Sequence, residues 1–167
     1  KWVLSVGLLS RRKGFDQVIA ALPELAKTGI DAQYAVIGIG EDRDYLRQQA
    51  WQNGVADRVH FAGVVPHSTV AEWIRASDVT VQLSRSAGSP NAVLESIACG
   101  VPVLASDIPA MREAIRHPAQ GRLVAREPEA AAEGLAALLA YGSPMPSEHA
   151  RVRSWREVAE DLLELDG

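Results

Sequence analysis

The sequence predicts an α/β domain, a parallel sheet of about six strands with helices on both faces. Two observations predict it. Strand-like apolar runs alternate with segments of helical periodicity along the whole chain, the pattern left by successive β-α-β units. The strand-like runs are continuously apolar rather than alternating, as expected when both faces of a sheet are covered. With 167 residues, 47% of them hydrophobic, the chain suffices for a single domain, 1–167, with a full core.

The elements follow in order. Trp2 to Val6 is apolar and β-branched, a first strand. Gly14 to Lys27 has helical spacing, with Phe15, Val18, Ile19, Leu22 and Leu25 on one face; Pro23 inside it is expected to bend or break the helix. Ala32 to Ile37 is the second strand, and a helix follows Gly38-Ile39-Gly40 from about Asp42 to Gln52. Val59 to Ala62 is the third strand, Thr69 to Ala76 a short helix, and Val79 to Leu83 the fourth strand. Ala92 to Cys99 reads as helix, Val101 to Ala105 as strand, Ala110 to Ile115 as helix and Gly121 to Val124 as a sixth strand. Pro128 to Leu139 is an alanine-rich helix; residues 142–146 form a linker, and an amphipathic helix over 147–165 closes the chain.

Composition narrows the function classes. A net charge of -4 argues against a nucleic-acid groove. No apolar run approaches the ~20 residues of a membrane span. The single cysteine, Cys99, excludes an intrachain disulfide and a cysteine-rich zinc site, and its apolar neighbours place it in packing. His60, His67, His117 and His149 lack metal-ligand spacing, so no metal is expected. The reading is a soluble protein of a reducing compartment, the cytoplasm.

Sheets of this kind bind ligands in the crevice beyond the carboxyl ends of their strands, so the loops there carry the candidate chemistry. After the fourth strand come Gly88, Ser89, Pro90 and Asn91. Ser89 suits an N-cap and Pro90 the first helical position, Gly88 permits close approach, and the helix start offers an anion site. Asn91 and Glu95, four apart, share a helix face; a carboxylate repels phosphate, so Glu95 suits hydroxyl protons such as those of a ribose. The same residues also read as an ordinary capped helix with a surface glutamate. After the first strand, Gly7 is followed by Arg11, Arg12 and Lys13, cations that suit a diphosphate or simply a solvated basic turn. Gly38-Ile39-Gly40 begins a dinucleotide fingerprint but lacks the third glycine. Asp42-Arg43-Asp44 reads as acidic residues at a helix start, and Trp51, Trp73 and Trp155 as packing.

These stretches together resemble the C-terminal domain of GT-B glycosyltransferases, specifically the retaining glycosyltransferase family 4. The resemblance rests on Val6-Gly7 with Lys13-Gly14, Gly38-Ile39-Gly40, Val59 to Gly63, Ala76 to Val79, and the run from Gly88 to Asp107, and it covers nearly the whole chain. It implies a Rossmann-like domain that binds a UDP- or GDP-linked sugar and transfers a hexosyl group without a metal or other cofactor. It places Glu95 on the ribose hydroxyls, Lys13 on the diphosphate as the catalytic cation, the loop around Val65 against the base, and Gly88, Ser89, Pro90, Asn91, Gly7 and Arg12 around the donor. It implies a partner N-terminal acceptor-binding domain outside this chain, through which peripheral membrane association could arise, and a fragment inactive alone. Two positions depart from the pattern: Ala87 stands where the family has a glutamate eight residues before Glu95, and Leu8 where it often has an arginine. Those departures motivate one alternative, a degenerate nucleotide-binding or scaffolding domain; a second is a different enzyme class on the same architecture, such as a sugar-nucleotide epimerase or an oxidoreductase, the latter weakened by the incomplete glycine fingerprint.

Overall fold

The computed structural model describes residues 1–87, 90–141 and 147–150. Six strands, β1 (Trp2–Val6), β2 (Gln33–Ile37), β3 (Val59–Gly63), β4 (Val79–Gln82), β5 (Val103–Ser106) and β6 (Gly121–Val124), form one parallel sheet in the order β3-β2-β1-β4-β5-β6. The helices are α1 (Phe15–Lys27), α2 (Arg43–Gln52), α3 (His67–Arg75), α4 (Asn91–Ala98), α5 (Pro109–Ala114) and α6 (Pro128–Tyr141). The fold is the expected Rossmann-like α/β sheet. Its strand order reverses between β1 and β4, the switch point where such sheets open a crevice.

One face of the sheet carries the larger core. Val3, Tyr34, Val36, Val59, Val79, Val81 and Leu104 pack there against α1 and α6 through Phe15, Ile19, Leu22, Leu25, Leu135 and Leu138. The other face holds two smaller clusters. Leu4, Ala35 and Ile37 meet Val70 and Ile74 of α3; Val103 and Ala105 meet Val93 and Ile97 of α4 and Met111 of α5.

Several expectations need correction. Helix α1 runs uninterrupted across Pro23; its neighbours Ala21, Leu22 and Leu25 are buried in the main core, and that packing outweighs the hydrogen bond proline cannot donate. Trp51 and Trp73 are not core residues: they are 74% and 38% exposed, because each lies off the buried face of its helix. Residues Ser147–His149 form one 3-10 turn, not the start of a long helix. The linker at 142–146, the rest of the expected helix to 165 and Trp155 lie outside the described residues. Cys99 is partly buried beside the cluster of Leu4 and Val70, in line with packing.

The β1–β4 seam sets the site. The ladder between these strands covers only Val3↔Val79 and Leu4↔Thr80. Beyond it, side chains take over. Tyr34 Oη donates to Ser5 Oγ at 2.9 Å, and Ser5 Oγ donates to the Val81 carbonyl at 2.7 Å. Gln82 Nε2 donates to the Val6 carbonyl at 2.9 Å. Burial raises the Tyr34 phenol well above its ordinary pKa, the Ser5 bond opposing and the Asp16 charge adding to the rise.

A glycine lets the loops above the seam close. Gly14 ends the 3-10 turn Arg11–Lys13 and precedes α1 with φ 76°, and a Cβ there would stand 2.1 Å from the Leu83 carbonyl oxygen. Gly14→Ala is therefore expected to destabilise by several kcal/mol, adding a backbone clash to the ~1–2 kcal/mol of a left-handed residue. Gly29→Ala, at φ 85° with open space around its Cβ, is expected to cost only that smaller term. Urea unfolding of the two variants measures the difference; equal losses would mean the Gly14–Leu83 contact is not tight.

At the opposite end of the same two strands, Asp78 accepts from Lys1 Nζ at 2.8 Å and from the Trp2 amide at 2.7 Å. Burial raises its pKa, but the bonds from Lys1 and Trp2 and the positive charge of Lys1 outweigh burial, and the carboxyl sits below its ordinary value. Its contribution is thus present above the unfolded-state value near 3.9 and is lost as pH falls through the folded value. Asp78→Asn is expected to lower stability at pH 7 and to shrink the stability difference between pH 7 and pH 3, read from urea midpoints at both.

Candidate functional site

A cleft of about 320 Å³ opens at the switch point. Val6 and Gly7 bring β1 to it, Gln82 and Ser84 bring β4, His67 and Val70 bring α3, Asn91 and Glu95 bring α4, and Met111 brings α5, with Lys13 and Ala87 from the loops. Its floor is the splayed β1–β4 seam, where Gln82 replaces the missing ladder bond.

The rim is held by an internal clamp. Arg126 Nε donates to the Leu83 carbonyl at 2.6 Å and its Nη2 to the Arg11 carbonyl at 2.9 Å. The Arg85 amide donates to the Arg12 carbonyl at 2.8 Å. Asp16 faces Arg126 at 3.9 Å. Burial here lowers the Arg126 guanidinium, Asp16 opposing and Arg85 adding to the fall. Arg11 is likewise committed: its amide donates to Asp42 Oδ2 at 2.7 Å, its Nε lies 3.5 Å from Asp42 Oδ1, and its guanidinium sits 3.9 Å above the Tyr45 ring. Asp42 thus precedes α2 but ties down the β1 loop rather than capping the helix with its side chain.

Gly38 and Gly40 serve the same loop. Gly38 has φ 140°, and Cβ atoms at Gly38 and Gly40 would meet the carbonyl oxygens of Gly7 and Leu9 at 1.9 and 2.1 Å. Their role is close backbone approach, sealed by Leu9 N–H donating to the Ile39 carbonyl at 2.9 Å.

The cleft unites Lys13, Glu95, Gly7, Pro90 and Asn91 of the expected site. Lys13 and Glu95 are partly buried and have no ion-pair partner among the described residues. Pro90 stands one residue earlier than expected: it precedes α4 as its cap, and its carbonyl accepts from the amides of Val93 and Leu94. Gly88 and Ser89 lie outside the described residues. Arg12 is exposed and does not line the cleft, because the turn Arg11–Lys13 gives that position to Lys13. Val65 packs beside the Leu4–Val70 cluster and is not among the lining residues. Leu8 is 56% exposed.

The lining residues that sequence reasoning missed include His67, Val70, Gln82, Ser84 and Met111. The polar Gln82 and Ser84 at the end of an apolar strand were the available signal. Ser84 is 1% exposed, and its Oγ has no hydrogen-bond partner among the described residues, although its carbonyl accepts from Ser106 Oγ at 2.6 Å. Among the described residues, no group of three or more His, Cys, Asp or Glu is placed to hold a metal ion, and no helix is long and apolar enough to cross a membrane.

A parallel sheet in the order 3-2-1-4-5-6, with its cleft at the switch point, defines a Rossmann-like α/β domain. Residues 1–153 match the family model of glycosyl transferases group 1, and the chain belongs to that family. It is 36% identical over 142 residues to the phosphatidyl-myo-inositol mannosyltransferase of Mycobacterium leprae, covering 83% of this chain and 37% of that protein. Sucrose-phosphate synthase of Thermosynechococcus elongatus shares the fold at TM-score 0.85 and 24% identity, covering 98% of this chain and 44% of that one. The pneumococcal O-GlcNAc transferase GtfA, solved in complex with UDP and GlcNAc, does so at TM-score 0.76 and 19% identity, covering 98% and 34%. The chain spans 31%, 42% and 37% of the first three curated relatives it matches. The sheet and helices are those of GT-B glycosyltransferases.

The orphaned Ser84 hydroxyl yields a stability test. Ser84→Ala removes a buried donor with nothing to bond, so stability is expected to stay within about 0.5 kcal/mol of the parent or to rise. A loss above ~1 kcal/mol in urea unfolding would mean that the hydroxyl is paired in solution.

Proposed function

We propose that the chain is the C-terminal, donor-binding domain of a retaining family 4 glycosyltransferase, which moves a hexosyl group from a UDP- or GDP-linked sugar to an acceptor. The observation that carries this reading is the meeting of Lys13 and Glu95, a cation and a carboxylate without ion-pair partners, in one cleft at the switch point. Lys13 would face the diphosphate and offset charge as it departs, helped by the positive end of α4. Glu95 would accept hydrogen bonds from the ribose hydroxyls. The UDP held by GtfA supports a nucleoside diphosphate as ligand, and the mannosyltransferase likeness supports a hexosyl group.

The acceptor side, a second N-terminal domain and any peripheral membrane contact belong to this proposal, as does a cytoplasmic setting. No metal is invoked, because Lys13 and α4 supply the positive charge at the cleft. A degenerate binding domain is the competing reading, favoured by Ala87 and Leu8.

Glu95→Ala is expected to weaken UDP or GDP binding about tenfold or more, the loss of charge-assisted hydrogen bonds worth roughly 1.5–3 kcal/mol. Binding of the matching 2′,3′-dideoxynucleoside diphosphate should hardly change. Calorimetric titration of both ligands decides: equal losses would take Glu95 off the ribose.

A further inference from the structure

We propose that Arg126 is a positioning residue for the donor site: it fixes the rotation of the turn Arg11–Lys13, and so decides that Lys13, rather than Arg11 or Arg12, is the cation presented to the cleft. This rests on the nucleotide-sugar reading above and adds a residue which that reading does not include.

A 3-10 helix has three residues to a turn, so the side chains of Arg11, Arg12 and Lys13 leave it in three directions about 120° apart. All three are cations, and rotating the turn by one position would exchange the group at the cleft. So short a turn does little to hold its own rotation. Within it, the Lys13 amide donates to the Ser10 carbonyl at 2.9 Å. The other fixing bonds come from outside. Asp42 Oδ2 holds the Arg11 amide, and the Arg85 amide holds the Arg12 carbonyl. Between those two points lies the Arg11 carbonyl, and its bond comes from Arg126 Nη2 at 2.9 Å.

The second arm of Arg126 fixes the other side of Lys13. Its Nε donates to the Leu83 carbonyl at 2.6 Å, and that carbonyl is the atom against which Gly14 is pressed, where a Cβ would stand 2.1 Å away. Arg11 precedes Lys13 within the turn and Gly14 follows it, so one guanidinium references both flanks of the lysine. Its donors form a rigid fork, and the arm on Leu83 sets the direction of the arm on Arg11; an ammonium has no such fork. Arg126 itself is committed to the framework. Its side chain is 18% exposed with Asp16 Oδ1 at 3.9 Å, and it is not part of the described lining of the cleft.

The test is calorimetric titration of UDP and of GDP into the purified chain, Arg126→Met, Lys13→Met and the double variant. Melting curves are recorded for each, and Gly29→Ala serves as a destabilised chain whose clamp is intact. In the parent background, Lys13→Met is expected to weaken binding about tenfold or more. Arg126→Met is expected to weaken it about fivefold, and in that background Lys13→Met should cost no more than about threefold, the non-additivity of residues that act through one another. Gly29→Ala should bind within about twofold of the parent. Arg126→Lys, which can hold one carbonyl but not both, is expected to fall between Arg126→Met and the parent. Should Arg126→Met melt far below the parent, Arg126→Lys carries the test. Losses that add, or an Arg126→Met affinity within about twofold of the parent, overturn the inference and leave the donor site standing. So does a loss in Gly29→Ala as large as that in Arg126→Met, because the effect then follows stability. Failure of both nucleotides to bind the parent overturns the donor site itself, and the inference with it.

Discussion

The divergence of β1 from β4 is the constraint on which the rest depends. Two parallel strands that stay paired leave no room between their loops. Here the ladder stops at Leu4↔Thr80, and the polar groups beyond it need new partners inside a core that offers almost none. Ser5, Tyr34 and Gln82 supply them. The opening is thereby made without leaving the carbonyls of Val6 and Val81 unpaired, which would cost about 1–3 kcal/mol each. Two side-chain hydrogen bonds, Ser5 to Val81 and Gln82 to Val6, take the place of the ladder between β1 and β4, with Tyr34 bonded to Ser5 behind them, and the cleft opens beyond.

Above that opening, the basic residues divide into two groups. Arg11 and Arg126 hold the framework, bonded to Asp42 and to backbone carbonyls. Lys13 is left to the cleft. A guanidinium has several fixed donors and suits bridging two chain segments, whereas an ammonium on a flexible stem suits a ligand that arrives and leaves. The division explains why three adjacent cations of one turn have three different environments: Arg11 over Tyr45, Arg12 exposed, Lys13 at the cleft.

The sheet was legible in the sequence because each strand is a continuous apolar run and each helix keeps a 3.6-residue stripe. Glu95, Lys13 and Asn91 were singled out through the resemblance, since each also has an ordinary structural reading, and the fold brings all three to one cleft. Other features were hidden because they depend on distant partners. Nothing local to Asp42 announces that it binds the Arg11 amide. Gly38 and Gly40 resembled a phosphate loop, yet their conformation serves the approach of Gly7 and Leu9. Pro23 broke a local rule that the contacts of α1 and α6 overrode. Trp51 and Trp73 suited a core by type, but their faces turned outward. His67 and Met111 became site residues only when the crossovers laid α3 and α5 on either side of α4.

Arg126 reaches back 115 positions to the carbonyl of Arg11, and this gives the chain a schedule. Every described residue that lines the cleft precedes it, the last being Met111. As the polypeptide emerges from the ribosome, the whole lining is therefore present before the part that fixes its shape. Until β6 has paired and Arg126 has seated between the two loops, the nascent domain holds the right side chains in an unfinished mould. The cleft takes its final shape last, through a residue that is not part of its described lining.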